Sequence, residues 1–220
     1  MESAATRLAQ VEANIARMCK IERRKRDDVT LIAVSKTHPA DKITPLLDTG
    51  HRVFSENRVQ EAQCKWPAMR EAYRDVQLHL IGQLQSNKAD DAIALFDCIH
   101  ALDRVSLLKA LAKAMDKASK RVPCFVQVNI GDEAQKGGCP IGELPSFLAK
   151  VRGADVPVAG LMCLPPAGIE PAPFFAFLAK LAADNGVSGL SMGMSADYET
   201  AIQLGATHVR VGTALFGQRG

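Results

Sequence analysis

The sequence lacks the features that mark several large classes of protein. Its formal charge is only +3, from 27 lysines and arginines against 24 aspartates and glutamates. Neither nucleic acid nor an anionic membrane is therefore expected as the main partner. No apolar run approaches the roughly 20 residues of a membrane-spanning helix, and the first residues do not show the basic and then apolar pattern of a secretory signal. These absences predict a cytoplasmic protein.

The spacing of the six cysteines also excludes a class of site. No two of them form a CxxC pair, whereas metal sites and disulfide frameworks need tight, repeated spacing. We therefore expect buried, reduced thiols. No linker or low-complexity segment interrupts the 220 residues, of which 47% are hydrophobic, and that length suffices for one sizeable core. The sequence predicts a single domain over residues 1–220, and nothing in it indicates an obligate dimer, so we expect a monomer.

Short apolar segments alternate along the chain with segments of helical periodicity. A first helix is predicted over residues 3–24, with Ser3 as its N-cap. The predicted strands are residues 29–35, 52–55, 76–81, 98–101, 122–129, 156–163, 189–192 and 208–211. The predicted helices between them are residues 41–49, 58–73, 104–120, 144–152, 173–185 and 196–204. Several strands are continuously apolar, which is typical of a parallel sheet covered by helices.

This order of elements predicts an α/β fold, a single (β/α)8 TIM-type barrel with an extra N-terminal helix. An open doubly wound sheet is the alternative. No GxGxxG motif follows the first strand, which disfavours a dinucleotide-binding sheet. In a barrel of this type, ligand sites form where the strands end and the following loops begin.

Lys36 is the first candidate at such a strand end. It follows the apolar residues 31–34, so its amine should emerge from a buried strand. A partly buried amine is suited to form a Schiff base with an aldehyde. On position alone, a lysine that extends to the surface is the simpler interpretation.

The loops after strands seven and eight are candidates for a phosphate site. The run 191–195 (SMGMS) and the pair Gly212 and Thr213 occupy those two loops, where barrels of this type recurrently bind phosphate. Ordinary helix capping by Ser195 is the alternative. Arg210 lies inside the last apolar strand, where a buried arginine needs an acceptor; an ion pair with a barrel carboxylate would serve equally well.

Seven segments carry a specific combination of residues in a fixed order. They are residues 33–37 (AVSKT), 55–61 (SENRVQE), 79–88 (HLIGQLQSNK), 128–129 (VN), 160–162 (GLM), 190–197 (LSMGMSAD) and 209–217 (VRVGTALFG). Together they resemble the pyridoxal phosphate homeostasis protein family, which is similar to the N-terminal barrel of alanine racemase. The resemblance extends over nearly the whole chain.

The resemblance implies pyridoxal 5'-phosphate (PLP) as the cofactor, bound through a Schiff base with Lys36. It implies Arg210 facing the pyridine nitrogen. The residues that it implies around the phosphate are Ser191, Gly212 and Thr213, and those along the ring pocket are Asn57, His79, Asn129 and Met162.

The family resemblance implies a protein that carries or buffers PLP and supports intracellular vitamin B6 homeostasis, and not an enzyme. PLP-dependent apo-enzymes are then possible transient partners. An amino-acid racemase is the alternative, but neither Tyr73 nor Tyr198, the only tyrosines, is an obvious second acid/base group. Lys136, in the loop predicted after strand five, is either a second amine that accepts PLP from Lys36 or a solvated loop lysine.

Overall fold

A computed structural model describes residues 2–133 and 135–217 and shows a closed barrel of eight parallel strands. Each strand pairs with the next in the chain, and β8 pairs with β1. The strands are β1 Thr30–Val34, β2 Val53–Glu56, β3 Gln77–Leu80, β4 Cys98–Leu102, β5 Cys124–Gln127, β6 Val158–Met162, β7 Leu190–Met194 and β8 His208–Val211. The predicted barrel is confirmed, and the open sheet is not the fold of this chain.

Helices surround the barrel, and an extra helix precedes the first strand. They are α1 Ala4–Ile21, α2 Ala40–Asp48, α3 Val59–Ala72, α4 Ala89–Leu95, α5 Val105–Ala118, α6 Leu144–Gly153, α7 Ala172–Asp184, α8 Tyr198–Gln203 and α9 Thr213–Phe216. Ser3 caps α1 as predicted, because its Oγ accepts a hydrogen bond from the Thr6 N–H at 3.0 Å. Helix α1 packs against α8 and α9, and the Arg7 side chain donates to the Leu215 carbonyl of α9.

The structure differs from the sequence-based prediction mainly in short elements. Helices α4 and α9, which have seven and four residues, were not predicted. Helix α8 begins at Tyr198, two residues later than predicted, because Asp197 accepts a bond from the Met194 N–H and closes a turn after β7. Predicted strand 122–129 is shortened to β5, and Val128 beyond it forms an isolated bridge with Cys139.

Side chains alternate between the interior of the barrel and the layer beneath the helices. On β8, Val209 and Val211 belong to the main apolar core, whereas His208 contacts the Phe125 ring inside the barrel. The interior therefore contains polar side chains, each of which needs a hydrogen-bond partner. All six cysteines are free thiols and five are buried, as expected, but Cys64 is exposed. No helix in the described ranges is long and apolar enough to span a membrane.

Candidate functional site

A cavity of about 580 Å³ opens at the carboxyl ends of the barrel strands. Among the residues that line it are six of the nine predicted site residues: Lys36, Asn57, Asn129, Arg210, Gly212 and Thr213. Four different strand–loop junctions, those of β1, β2, β5 and β8, supply these six residues, as expected for a barrel of this type. The cavity is large enough for a small organic ligand.

The backbone on both sides of Lys36 is held by a second lysine. The Nζ atom of Lys65, on α3, lies 3.2 Å from the Ser35 carbonyl oxygen and 3.1 Å from the His38 carbonyl oxygen. Lys65 is itself mostly buried, with a side chain 13% exposed. The loop between β1 and α2 is therefore fixed to a neighbouring helix at the two residues that bracket Lys36.

Thr37, next to Lys36, adopts a left-handed backbone conformation with φ of 65°. This conformation costs free energy for a β-branched residue. Its N–H donates a 2.6 Å hydrogen bond to Glu61 Oε1, and the same oxygen lies 2.8 Å from Lys65 Nζ. Glu61 and Lys65 are one helical turn apart on α3, so one face of this helix stabilises the turn that carries Lys36.

Glu56, the last residue of β2, is fully buried behind this loop. Its Oε1 accepts hydrogen bonds from Ser35 Oγ at 2.7 Å and Trp66 Nε1 at 3.0 Å, and it lies 2.8 Å from Lys65 Nζ. Burial raises the pKa of Glu56, although these three contacts act in the opposite direction. A carboxylate in such a place depends on its cation, so the charge of Lys65 stabilises Glu56 as well as the loop.

Gly82 lets two of the site loops approach each other closely. A Cβ atom added there would lie 2.2 Å from the Asn57 carbonyl oxygen, which no side chain can tolerate. The loop after β3 therefore packs directly on the Asn57 backbone and brings both loops to the cavity.

Ser195 connects the loops after β7 and β8. Its Oγ accepts a 3.1 Å hydrogen bond from the Gly212 N–H, and it lines the cavity beside Gly212 and Thr213. Because Ser195 Oγ accepts this bond, its own hydrogen is available to a ligand. Thr213 begins α9, and the first N–H groups of a helix have no partner within the helix. Ser195 and Thr213 therefore form a group of donors suited to an anion, and Gly212 holds Ser195 in place through its N–H.

Arg210 is 3% exposed and reaches the cavity from β8. Its Nη1 donates to the Ser191 carbonyl oxygen at 2.8 Å and to Ser191 Oγ at 2.5 Å, and its Nη2 donates to the Cys163 carbonyl oxygen at 3.0 Å. None of the ion pairs within the described residues includes Arg210. Neutral oxygens of β7 and of the residue after β6 therefore orient the guanidinium group.

The other three predicted site residues lie inside the barrel beneath the cavity. Ser191 has no exposed surface and contacts Arg210. His79 is 5% exposed, with its Nδ1 3.0 Å from His100 Nε2. Met162 is buried with Cys98 and Phe125 in a small separate apolar cluster. These residues support the cavity from below rather than line it.

His100 is a further buried polar residue, which was not among the predicted site residues. It is fully buried on β4, and its two ring nitrogens contact His79 and, at 2.9 Å, Ser191 Oγ. The sequence contains an indication of its role, because His100 is the only polar residue in the apolar run 98–102. Arg210 stands out in the same way in the run 209–211. Neighbouring Phe125 stacks on its ring at a centroid distance of 4.4 Å.

Lys136 places a second amine in the lining of the cavity. Its Nζ lies 2.6 Å from Glu133 Oε2 and 3.3 Å from the Pro165 carbonyl oxygen. The adjoining Gly137 carbonyl accepts a 2.9 Å hydrogen bond from Gln127 Nε2, which holds the loop over the cavity. Lys136 is thus a loop lysine with a side chain that is 34% exposed and paired with Glu133 at the edge of the cavity.

Comparison with known proteins gives the chain a family. The family described as alanine racemase, N-terminal domain, matches residues 6–220. The pyridoxal phosphate homeostasis protein of Aquifex aeolicus is 36% identical over 227 residues, which cover 99% of each chain. The protein of the same name from Pseudomonas aeruginosa is 36% identical over all of this chain and 97% of its own length.

Solved structures agree with this result. PipY of Synechococcus elongatus, solved with PLP bound, has 35% sequence identity and a TM-score of 0.82, and the match covers 93% of this chain and all of PipY. Alanine racemase of Clostridium difficile shares the fold, with a TM-score of 0.72 at 14% identity, over 94% of this chain and 55% of the racemase. The chain belongs to the pyridoxal phosphate homeostasis protein family, whose barrel is the alanine racemase N-terminal domain.

Proposed function

We propose that this chain binds PLP covalently through Lys36 and carries or buffers it for vitamin B6 homeostasis in the cytoplasm. It would act as a single domain over residues 1–220 and as a monomer. One observation carries the proposal: a single cavity combines the Lys36 amine, the Arg210 guanidinium and the donors Ser195 and Thr213. An amine, a cation and a set of hydroxyl and N–H donors match the aldehyde, ring nitrogen and phosphate of PLP.

The phosphate is assigned to the loops after β7 and β8. Ser195 offers its hydroxyl hydrogen, and Thr213 offers its hydroxyl and its first-turn N–H. Gly212, which donates to Ser195, contributes the backbone that brings the two loops together. This assignment moves the serine hydroxyl contact from Ser191 to Ser195, because Ser191 lies beneath the cavity.

The ring is assigned to the space between Lys36 and Arg210. Lys36 forms a Schiff base by condensation of its amine with the aldehyde and loss of water. Asn57 and Asn129 line the same cavity, and the Asn129 amide also holds the loop after β5 through the Glu133 backbone. His79, Met162 and Ser191 support this arrangement from the barrel interior without contact with the ligand.

The side chains favour a carrier over an amino-acid racemase. A racemase needs an acid/base group on each face of its substrate, and Lys36 supplies one. Tyr73 donates its hydroxyl hydrogen to Asp48 Oδ1, and the Tyr198 hydroxyl accepts a bond from Asn14 Nδ2. Neither tyrosine lines the cavity, so no tyrosine of this chain faces Lys36 across the site.

A carrier must also release its ligand, and PLP-dependent apo-enzymes are the proposed recipients. Lys136 provides an amine in the same cavity as Lys36, which supports a transfer of PLP from one amine to the other before release. Because Glu133 lies 2.6 Å from the Lys136 amine, this amine must leave its carboxylate partner before it can react.

Borohydride reduction of the PLP-loaded chain, followed by peptide mapping, tests the proposal. We expect the reduced adduct on Lys36 and its loss in Lys36→Ala, with an unchanged far-ultraviolet circular dichroism spectrum. Lys113→Ala, an exposed lysine on α5, is the matched control and should label as the wild type does. An adduct on another lysine of the wild type, with Lys36 unmodified, would contradict the proposal.

A further inference from the structure

A row of hydrogen bonds crosses the barrel interior from Arg210 to His79. Arg210 Nη1 lies 2.5 Å from Ser191 Oγ, which lies 2.9 Å from His100 Nδ1, and His100 Nε2 lies 3.0 Å from His79 Nδ1. Strands β8, β7, β4 and β3 each contribute one member. All four side chains are at most 5% exposed. The row connects the floor of the cavity to the middle of the barrel.

Arg210 determines which atom donates and which accepts in each hydrogen bond of this row. Arginine has hydrogen-bond donors and no acceptor, so Ser191 Oγ accepts the bond between them. The hydroxyl hydrogen of Ser191 then needs an acceptor, and His100 Nδ1 is the one found for it within the described residues. A buried hydroxyl hydrogen without an acceptor would be costly.

The same order of donor and acceptor continues through the two imidazole rings. His100 accepts at Nδ1, so its hydrogen is on Nε2 and is donated to His79 Nδ1. The remaining hydrogen of His79 is then on its own Nε2. Burial lowers the pKa of His79 to about 3 and that of His100 well below its usual value. Both rings are therefore neutral near pH 7.

We propose that Ser191 and His100 are positioning residues that hold the Arg210 guanidinium against the ring of PLP, and that Ser191 acts on the ring and not on the phosphate. This inference rests on the proposed function. The Ser191 hydroxyl is one of the three acceptors that orient Arg210, and His100 fixes the rotation of that hydroxyl. Without either residue, the guanidinium keeps its two carbonyl acceptors but loses the oriented hydroxyl that holds Nη1 on a second side.

Ser191 of β7 and Ser195 of the loop after it should therefore affect different parts of the ligand, the ring and the phosphate. Ser191→Ala should weaken PLP and pyridoxal, which lacks the phosphate, by the same factor of roughly tenfold, as expected for one bond to a charged group. Ser195→Ala should weaken PLP by a similar factor and pyridoxal much less. Ser188→Ala, at an exposed serine before β7, is the control and should change neither affinity.

Equilibrium titration of PLP and of pyridoxal against the wild type and each variant measures these affinities. Ser191→Thr keeps the hydroxyl and should recover most of the affinity, whereas His100→Phe should reproduce the Ser191→Ala pattern. A loss confined to PLP in Ser191→Ala, or unchanged affinity for both ligands, would overturn the inference. Failure of the wild type to bind either ligand would instead overturn the proposed function.

Nitrogen-15 NMR of the histidine rings tests the row without any ligand and without a variant that must fold. We expect neutral rings protonated at Nε2 for both His79 and His100 in the wild-type chain. Protonation of His100 at Nδ1 would overturn the inference. So would a stoichiometric bound metal, because His79, Cys98 and His100 offer ligand atoms within 4.8 Å of one another and a metal would replace the bond between the two rings.

Discussion

At the scale of single residues, the character of Arg210 determines what chemistry the site can support. A guanidinium group only donates hydrogen bonds, so a pyridine nitrogen that faces it must accept and cannot carry a proton. An unprotonated ring withdraws electrons weakly from a bound substrate, whereas a carboxylate partner would strengthen that withdrawal. The neutral oxygens of Ser191 and Cys163 that hold Arg210 do not neutralise its charge, and none of the ion pairs found among the described residues does so either.

The same reasoning predicts that the PLP-loaded chain does not turn over amino acids at a useful rate. Each enantiomer of alanine, serine and glutamate would be incubated with it and followed by chiral chromatography. We expect rates far below the roughly 1–1000 per second of ordinary enzymes. The unprotonated ring withdraws electrons weakly, and neither tyrosine lines the cavity as a second acid/base group. An authentic alanine racemase is the positive control. Turnover within the ordinary range would favour the racemase.

Residue types near the strand ends were predictable from the sequence, but the depth of each side chain was not. Lys36 and Arg210 stand out because each interrupts or ends an apolar run. Ser191 and Ser195 both belong to the segment 191–195, and only the structure places Ser191 in β7 beneath the cavity and Ser195 in the lining of the cavity. A register irregularity between residues 191 and 194 of β7 breaks the simple alternation from which the depth could have been counted.

At the scale of elements, helix α3 determines the conformation of the loop that carries Lys36. Lys65 and Glu61 lie one turn apart on the helix, and together they bind the Ser35 and His38 carbonyls and the Thr37 N–H. A left-handed residue persists only when its surroundings hold it. We infer that the packing of α3, and not the loop itself, gives the Lys36 amine its position.

Replacement of Lys65 tests this dependence. Lys65→Met removes the cation from the fully buried Glu56, and we expect the free energy of unfolding to fall by about 3 kcal/mol, as for other broken buried ion pairs. Attachment of PLP to Lys36 should slow in the fraction that remains folded. Urea unfolding and stopped-flow absorbance measure the two effects.

The matched control for this substitution is Lys117→Met, which breaks an ion pair with Asp90 that is largely exposed. Exposed pairs of this kind contribute little to stability because water screens them, so this variant should unfold and bind PLP almost as the wild type does. Equal effects of the two substitutions would show that the contacts of Lys65 do not position the loop.

The long helices were predictable from the sequence, but the short helices α4 and α9 were not. Helices of ten or more residues such as α5 repeat their apolar face several times, which gives periodicity analysis enough to detect. Helix α4 has seven residues, with two aspartates in its first turn, and α9 has four. Helix α4 completes less than two turns and α9 just over one. The stability of both therefore depends on tertiary contacts, which no local sequence pattern shows.

At the scale of the whole molecule, the barrel could be predicted because regular alternation and breakers repeat over the entire chain. The composition of its interior could not. Which side chains share one layer of a closed barrel depends on strand tilt and register, so the proximity of His79, His100 and His208 follows only from the structure. Their ring centroids lie 5.1–6.4 Å apart, although positions 79 and 208 are far apart in the sequence.

These three interior histidines make the stability of the fold dependent on pH. Burial lowers the pKa of His79 to about 3 and that of His208 to about 4, and it lowers the pKa of His100 as well. In the unfolded chain each titrates near 6.5. Below pH 6.5 the unfolded state therefore binds protons that the folded state does not, so the folded state loses stability as the pH falls towards 4.

The expected slope is up to about 1.4 kcal/mol per pH unit for each histidine, or about 4 kcal/mol for the three together. Urea unfolding of the wild type at pH 7, 6 and 5 measures this slope.

His208→Leu tests the contribution of one histidine, whose only side-chain hydrogen bond within the described residues is with Thr207. The free energy of unfolding of this variant should depend less steeply on pH, because about one third of the slope that the three histidines cause is removed. His51, also with a lowered pKa, contributes equally to both chains and cancels in the comparison. Parallel curves for the two chains would mean that His208 titrates in the folded barrel as it does in the unfolded chain, and burial would not be what governs the interior histidines.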